Sequence, residues 1–111
     1  MAAPLRTAWF NGSFMPLAEV RISPLDRAFL FGDAVYEVIP VHAGQAFLLD
    51  PHLDRLERSL RELGIRNPCR RAEWIDIING LIEQNGGGNL AVYLQVSRGA
   101  DIKRDHAFPP E

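Results

Sequence analysis

Hydrophobic positions predict strands over residues 34–41, which are rich in β-branched side chains, and over residues 90–98, where aliphatic residues recur at every second position. In the first stretch one face carries Val35, Glu37, Ile39 and Val41, and the opposite face carries Tyr36, Val38 and Pro40. In the second stretch Val92, Leu94 and Val96 share the apolar face, opposite Tyr93, Gln95 and Ser97. Both stretches are therefore predicted to be strands whose side chains divide between two faces.

Turn-forming residues predict two hairpins and one further strand in the first half of the chain. Asn11 and Gly12 lie between two apolar segments, and both tolerate the positive φ angles of a two-residue turn. The sequence Ala43-Gly44-Gln45 predicts a second turn, with residues 46–49 as the returning strand. Residues 20–22 alternate before a Ser-Pro pair, so we expect a short strand there.

Two amphipathic helices are predicted in the second half. The first has Asp50 as its N-cap, Pro51 in its first turn and Gly64 at its end. Its apolar stripe consists of Leu53, Leu56, Leu60 and Leu63. The second covers residues 72–84 and turns inward Trp74, Ile78, Leu81 and Ile82. Together these elements predict an α+β fold, with an antiparallel sheet built from the Trp9, Val35, Ala46 and Leu90 segments and both helices on one face.

Composition and charge narrow the class of protein. The chain has 111 residues, 47 % of them hydrophobic, and a formal net charge of -2, which indicates one globular domain rather than a disordered segment. The net charge does not indicate the basic surface that is typical of proteins that bind nucleic acids. No apolar run has the ~20 residues that a membrane span needs. Cys69 is the only cysteine, so we expect a cytoplasmic location, and no metal site is predicted.

Three cationic residues are candidates for binding a small anion. Arg55 lies on the flank of the leucine stripe near the positive end of the helix dipole, so it is either a solvated arginine or an anion ligand. Arg104 and His106 are two residues apart in an extended segment, so their side chains share a face. They form either a solvated basic turn or a clamp for a small carboxylate.

Two residues of the strand predicted over residues 34–41 are also notable. Tyr36 lies in the middle of the strand, where a tyrosine usually packs in the core or across strands. Glu37 is the only charged residue on an aliphatic face, and an arginine such as Arg27 is a candidate partner for it.

Three separated blocks of the sequence resemble the N-terminal domain of the class IV aminotransferases, which are fold-type IV pyridoxal-phosphate enzymes. The blocks are Asp26–Val38 (DRAFLFGDAVYEV), His52–Leu56 (HLDRL) and Tyr93–Gly99 (YLQVSRG), and the resemblance covers residues 9–109. The ending Arg104–Pro109 (RDHAFP) is most similar to the D-amino acid (D-alanine) branch of the family. Branched-chain aminotransferases and aminodeoxychorismate lyases share the first blocks but generally not this ending.

The resemblance implies roles for five residues. Arg55 corresponds to the arginine that holds the phosphate of pyridoxal 5'-phosphate, and Tyr36 and Val38 correspond to positions that line the substrate pocket. Arg104 and His106 correspond to the pair that binds the substrate carboxylate in the active site of the other subunit of a homodimer. The whole enzyme is then expected to transfer an amino group between D-amino acids and 2-oxo acids.

The sequence departs from the family pattern in places that bear on activity. Ala34 replaces a glycine of the D-alanine branch, and Pro40 replaces a lysine near the pocket, so the range of substrates stays open. The Schiff-base lysine of the family belongs to a second domain, and Lys103 lies in the wrong place to substitute for it. We therefore expect residues 1–108 to be the small domain and residues 109–111 to begin a linker, with no catalytic residue and no activity in this chain alone.

The sequence leaves two alternatives open. The first keeps the family but changes the reaction to that of a branched-chain aminotransferase or an aminodeoxychorismate lyase. The second is a non-catalytic module that binds an anion or a partner by itself. The visible absorbance of a covalently bound cofactor would separate the second alternative from an enzyme.

Overall fold

The computed structural model describes residues 6–100, so Arg104 and His106 lie outside the described residues. Within this part the chain forms five strands and three α-helices: β1 (Thr7–Phe10), β2 (Ser13–Pro16), α1 (Arg27–Phe31), β3 (Ala34–His42), β4 (Gln45–Ala46), α2 (Leu49–Leu63), α3 (Arg71–Gln84) and β5 (Leu90–Ser97). A 3-10 turn over Leu17–Glu19 follows β2. The predicted α+β class, with antiparallel strands and two long helices, is confirmed.

Strand β3 is the central strand of a three-stranded antiparallel sheet with the order β4-β3-β5. It pairs with β5 from Ala34 opposite Ser97 to Val41 opposite Leu90, and with β4 only at its last two residues. The predicted alternation of its side chains is confirmed. The buried set is Val35, Glu37, Ile39 and Val41, and the exposed set includes Tyr36, Val38 and Pro40.

The N-terminal hairpin forms a separate two-stranded sheet, so the predicted single sheet that included the Trp9 segment is wrong. The Asn11-Gly12 turn is present, with φ angles of 47° and 103°. The hairpin docks on α3 rather than on a strand, because the Asn85 side chain accepts a hydrogen bond from the Thr7 N–H at 3.1 Å and donates one to the Thr7 carbonyl at 3.0 Å. Trp9 also meets Trp74 edge-on, with ring centroids 6.3 Å apart.

Helices α2 and α3 complete the core against the buried face of the sheet. The most deeply buried side chains are Ile39, Leu53, Leu56, Leu60 and Ile78. The predicted stripe of α2 is confirmed at its first three leucines, whereas Leu63 is 48 % exposed at the end of the helix. Within residues 6–100, no helix combines the length and the apolar content that crossing a membrane requires.

Helix α2 begins earlier than predicted, and Asp50 is not its N-cap. Leu48 occupies that position with a left-handed backbone (φ 53°), and Asp50 lies in the first helical turn. The carboxylate of Asp50 faces Arg71 of α3 at 3.5 Å. Arg71 also donates hydrogen bonds to two further acids of α2, Asp54 and Glu57. The acidic side of α2 therefore contacts the start of α3, which the leucine spacing alone does not indicate.

The structure differs from the sequence-based prediction in two strand segments and in one short helix. Residues 20–22 form no strand, and Ile22 is 64 % exposed there. The returning strand expected over residues 46–49 is limited to Gln45–Ala46, because the chain enters α2 immediately afterwards. Helix α1 is absent from the sequence-based prediction; Asp26 caps it by accepting a hydrogen bond from the Ala28 N–H at 2.9 Å.

An ion cluster around Asp33 joins the helices to the sheet. Asp33 precedes β3 and accepts hydrogen bonds from Arg27 Nε at 2.9 Å and from Arg98 Nε at 2.7 Å. Arg98 also donates to the carbonyls of Leu63 and Gly64 at the end of α2. These bonds fix α1, the start of β3 and the end of α2 relative to the end of β5.

We expect Asn85→Ala to lower the free energy of unfolding by about 1–3 kcal/mol, because two hydrogen bonds that attach β1 to α3 are lost. Thermal unfolding monitored by tryptophan fluorescence measures the loss, since Trp9 and Trp74 meet at the same junction. Asn79→Ala, at an exposed position of the same helix, is the matched control. Equal destabilisation by both variants would contradict the docking role of Asn85.

Candidate active site

Glu37 carries a carboxylate on the buried face of β3, and α2 supplies its partners. The alternation of β3 leaves only 3 % of the Glu37 side chain exposed. His52 and Arg55 are three residues apart on α2, so both extend from the same side of the helix toward β3. The fold therefore assembles one acidic and two basic side chains, Glu37, His52 and Arg55, which we call the Glu37 cluster.

Three short hydrogen bonds hold the Glu37 cluster together. Arg55 donates through Nε to Glu37 Oε2 and through Nη2 to Glu37 Oε1, each at 2.8 Å. The His52 Nδ1 atom lies 2.7 Å from Glu37 Oε1. Because an ionised carboxylate only accepts hydrogen bonds, His52 Nδ1 carries the hydrogen and donates it. Both oxygens of Glu37 are thus occupied, and two residues restrain its orientation.

The pKa values within the Glu37 cluster shift in opposite directions. The hydrogen bond from Arg55 is the main cause that lowers the pKa of Glu37; burial opposes it, and the bond from His52 adds to the lowering. The same hydrogen bond to Glu37 raises the pKa of Arg55 above its usual value. At neutral pH the cluster therefore contains a carboxylate and a guanidinium that neutralise each other.

Arg55 keeps one edge of its guanidinium open. Its side chain is 56 % exposed although its partner Glu37 is 3 % exposed. A guanidinium has five N–H donors, and Glu37 uses those on Nε and one on Nη2. Within residues 6–100 the Nη1 atom has no protein acceptor, so the edge formed by Nη1 and Nη2 is available to a ligand. This fork matches the oxygens of a phosphate or a carboxylate.

The face of the sheet opposite the helices carries an exposed aromatic surface. Tyr36 of β3 and Tyr93 of β5 stack with ring centroids 5.9 Å apart and an interplanar angle of 17°. Val38 lies directly opposite Tyr93 in the register of the two strands and is 44 % exposed.

Of the five predicted site residues, Tyr36 and Val38 lie on the face of the sheet opposite the helices, and Arg55 reaches Glu37 from α2 on the other face. Tyr36 packs across strands, one of the two arrangements expected for it. Arg27 is wrong as the candidate partner of Glu37, because Arg27 pairs with Asp33 while Arg55 reaches the Glu37 carboxylate.

The sequence alone does not mark His52 or Tyr93 as site residues. For His52 the signal was its three-residue spacing from Arg55, which places both on one side of a helix that covers β3. For Tyr93 the signal was its place on the same outward face as Gln95, but the pairing register with β3 is needed to bring it against Tyr36.

A family model described as amino-transferase class IV matches residues 34–110 of this chain. The match runs from β3 through both long helices and β5, and so includes the whole Glu37 cluster. The chain belongs to the class IV aminotransferase family.

Curated relatives of the chain include D-alanine aminotransferases. The chain is 40 % identical over 99 residues to the enzyme of Bacillus licheniformis, covering 89 % of this chain and 35 % of the relative. It is 34 % identical over 101 residues to that of Staphylococcus epidermidis, covering 91 % of this chain and 36 % of the relative. The chain therefore spans about a third of the length of the curated relatives it matches.

Solved structures of branched-chain aminotransferases share the fold. The T.th. branched-chain amino acid aminotransferase complexed with N-(5'-phosphopyridoxyl)-L-glutamate has a TM-score of 0.83 and 25 % identity, covering 89 % of this chain and 35 % of that chain. The Escherichia coli branched-chain amino acid aminotransferase has a TM-score of 0.87 at 18 % identity, covering 96 % of this chain and 37 % of that chain. The second likeness concerns the fold alone.

Acid should remove the stabilisation that Glu37 provides. Its folded-state pKa lies below the ordinary value of 4.5, so its contribution is present above about pH 4.5 and is lost as pH falls through the folded pKa. We expect Glu37→Gln to lower the free energy of unfolding by about 1–3 kcal/mol at pH 7, because charge-assisted hydrogen bonds to a partly exposed arginine are weakened.

Urea unfolding at pH 7 and at pH 3 measures this dependence. The difference between the wild type and Glu37→Gln should shrink at the lower pH, because protonation of Glu37 removes the charge that the glutamine variant lacks. A difference that stays constant between the two pH values would show that the pKa of Glu37 is not lowered by folding.

Proposed function

We propose that this chain is the small domain of a pyridoxal-phosphate enzyme that transfers an amino group between D-amino acids, such as D-alanine, and 2-oxo acids. The observation that carries the proposal is the 34–40 % identity to D-alanine aminotransferases over about nine-tenths of the chain. The open edge of Arg55 agrees with this function because it offers a phosphate-binding group, and the Tyr36–Tyr93 stack offers an exposed aromatic surface in the same domain.

Arg55, Tyr36 and Val38 together suit a phosphorylated aromatic cofactor. Arg55 offers two N–H directions to a phosphate while Glu37 holds the opposite edge of its guanidinium. When bound, pyridoxal 5'-phosphate supplies an electron-withdrawing ring that makes the α-proton of an amino acid removable. In this proposal Arg55 anchors the phosphate, and Tyr36 and Val38 limit the space open to the substrate side chain.

Residues outside the described range complete the proposed substrate site. Arg104 and His106 would bind the substrate carboxylate, and in a homodimer they would do so in the active site of the other subunit. Residues 1–108 would form the small domain, and residues 109–111 would begin the connection to a domain that supplies the covalent lysine. A single cysteine agrees with a cytoplasmic enzyme.

Transamination by the complete protein that contains this chain tests the proposed function. D-Alanine and the L-amino acids alanine and leucine are each offered with 2-oxoglutarate, and the 2-oxo acid product is measured. Use of D-alanine in preference to both L-amino acids is the expected result. A protein that accepts only L-amino acids would contradict the proposal and favour the branched-chain branch of the family.

We expect Arg104→Ala in the complete protein to lower kcat/KM for D-alanine about ten- to a hundredfold, because a charge-assisted bond to the substrate carboxylate is lost. The visible absorbance of the bound cofactor should be unchanged, since the phosphate group is assigned to Arg55. Unchanged D-alanine kinetics would remove Arg104 from the substrate site.

Arg55→Ala should act on the cofactor first. We expect the dissociation constant of pyridoxal 5'-phosphate to rise about ten- to a hundredfold, because the guanidinium no longer bonds the phosphate. Arg58→Ala is the matched control, since Arg58 is an exposed arginine on the same helix. Cofactor titration followed by absorbance measures both variants, and equal affinities in the two would contradict the role of Arg55.

A further inference from the structure

We propose that Glu37 is a positioning residue: it orients the Arg55 guanidinium so that the Nη1–Nη2 edge faces the phosphate, and His52 fixes the carboxylate that does this. The inference rests on the proposed function, because it concerns how the phosphate is recognised. It adds two residues, Glu37 and His52, to those expected from the sequence, and neither of them needs to touch the cofactor.

The geometry of the Glu37 cluster fixes the plane of the guanidinium. Two parallel bonds of 2.8 Å, from Nε and Nη2, leave Arg55 no freedom to rotate about the end of its side chain. The backbone of Glu37 is also held in place, because it belongs to the central strand of the sheet and pairs with Leu94 of β5. An arginine that is ordered before the ligand arrives loses less conformational entropy when the ligand binds.

His52 supports the carboxylate with a third hydrogen bond. Its Nδ1 atom donates to Oε1, the same oxygen that accepts from Arg55 Nη2. His52 is also mostly buried, with 17 % of its side chain exposed, so this bond is shielded from water. Glu37 is thereby held in the orientation that serves Arg55 rather than in one of several rotamers.

The negative charge of Glu37 indicates that this residue acts by orienting Arg55 and not by attracting the phosphate. A carboxylate next to Arg55 reduces the positive potential that attracts a phosphate, so a site built for charge alone would omit it. If potential governed affinity, removing this charge would strengthen phosphate binding. If orientation governs affinity, removing it would weaken binding. The two accounts therefore predict opposite signs for one substitution.

The test compares pyridoxal 5'-phosphate with pyridoxal, which lacks the phosphate, in the complete apoprotein that contains this chain. Dissociation constants of both are measured for the wild type, for Glu37→Gln, which removes the charge, and for Glu37→Asp, which keeps the charge but shortens the reach. Glu62→Gln, at an exposed position of α2, is the control. Circular dichroism checks that each variant is folded.

The expected result is a roughly three- to tenfold loss of the preference for the phosphorylated form in both Glu37 variants. Affinity for pyridoxal should change little, and Glu62→Gln should match the wild type. A preference that is retained or increased in Glu37→Gln overturns the positioning role, and a loss that is equal for both ligands reduces Glu37 to a structural residue. A wild type without any preference contradicts the proposed function itself.

A second measurement uses the wild type and does not depend on a Glu37 variant folding. The Arg55 Nε–H resonance in a 15N NMR spectrum is assigned by its absence in Arg55→Lys. It should be protected from exchange before ligand is added and should keep its position when pyridoxal 5'-phosphate binds, while the Nη resonances shift. Rapid exchange of Nε–H in the apoprotein overturns the proposal.

Discussion

Glu37 lies on the core face of the central strand, where an unpaired carboxylate would cost several kcal/mol. Helix α2 therefore has to pack with His52 and Arg55 toward the strand, and this requirement sets its rotation about its own axis as well as its position. The leucines on the adjoining side of the helix then enter the core. One buried charge thus links the packing of the domain to the orientation of Arg55, a partly exposed site residue.

The strands and long helices were predictable because their signals are local and periodic. Alternation along β3 and β5 and the spacing of Leu53, Leu56 and Leu60 each follow from burying one face of a regular element. Gly64 as the end of α2 and the Asn11-Gly12 turn were also predictable, since both need backbone angles that few residues adopt. The family blocks added Arg55, Tyr36 and Val38 as site residues.

The remaining features depend on contacts between segments that are distant in sequence. Asp50 looks like an N-cap, but its carboxylate faces Arg71 on another helix. The hairpin of β1 and β2 looks like part of the main sheet, but Asn85 attaches it to α3. Arg27 and Arg55 were equally available to Glu37 in the sequence, and only the packing of α2 on β3 decides between them.

The pairing of β3 with β5 has a consequence for how the chain acquires its structure. Helices α2 and α3 lie between these two strands in the sequence. The contact between Asp33 and Arg98, at one end of the strand pair, joins residues that are 65 positions apart. Such a high contact order makes sheet closure slow compared with the formation of the helices between the strands. On a ribosome β3 emerges long before its partner, so its open edge has to wait for β5 while α2 and α3 form beside it.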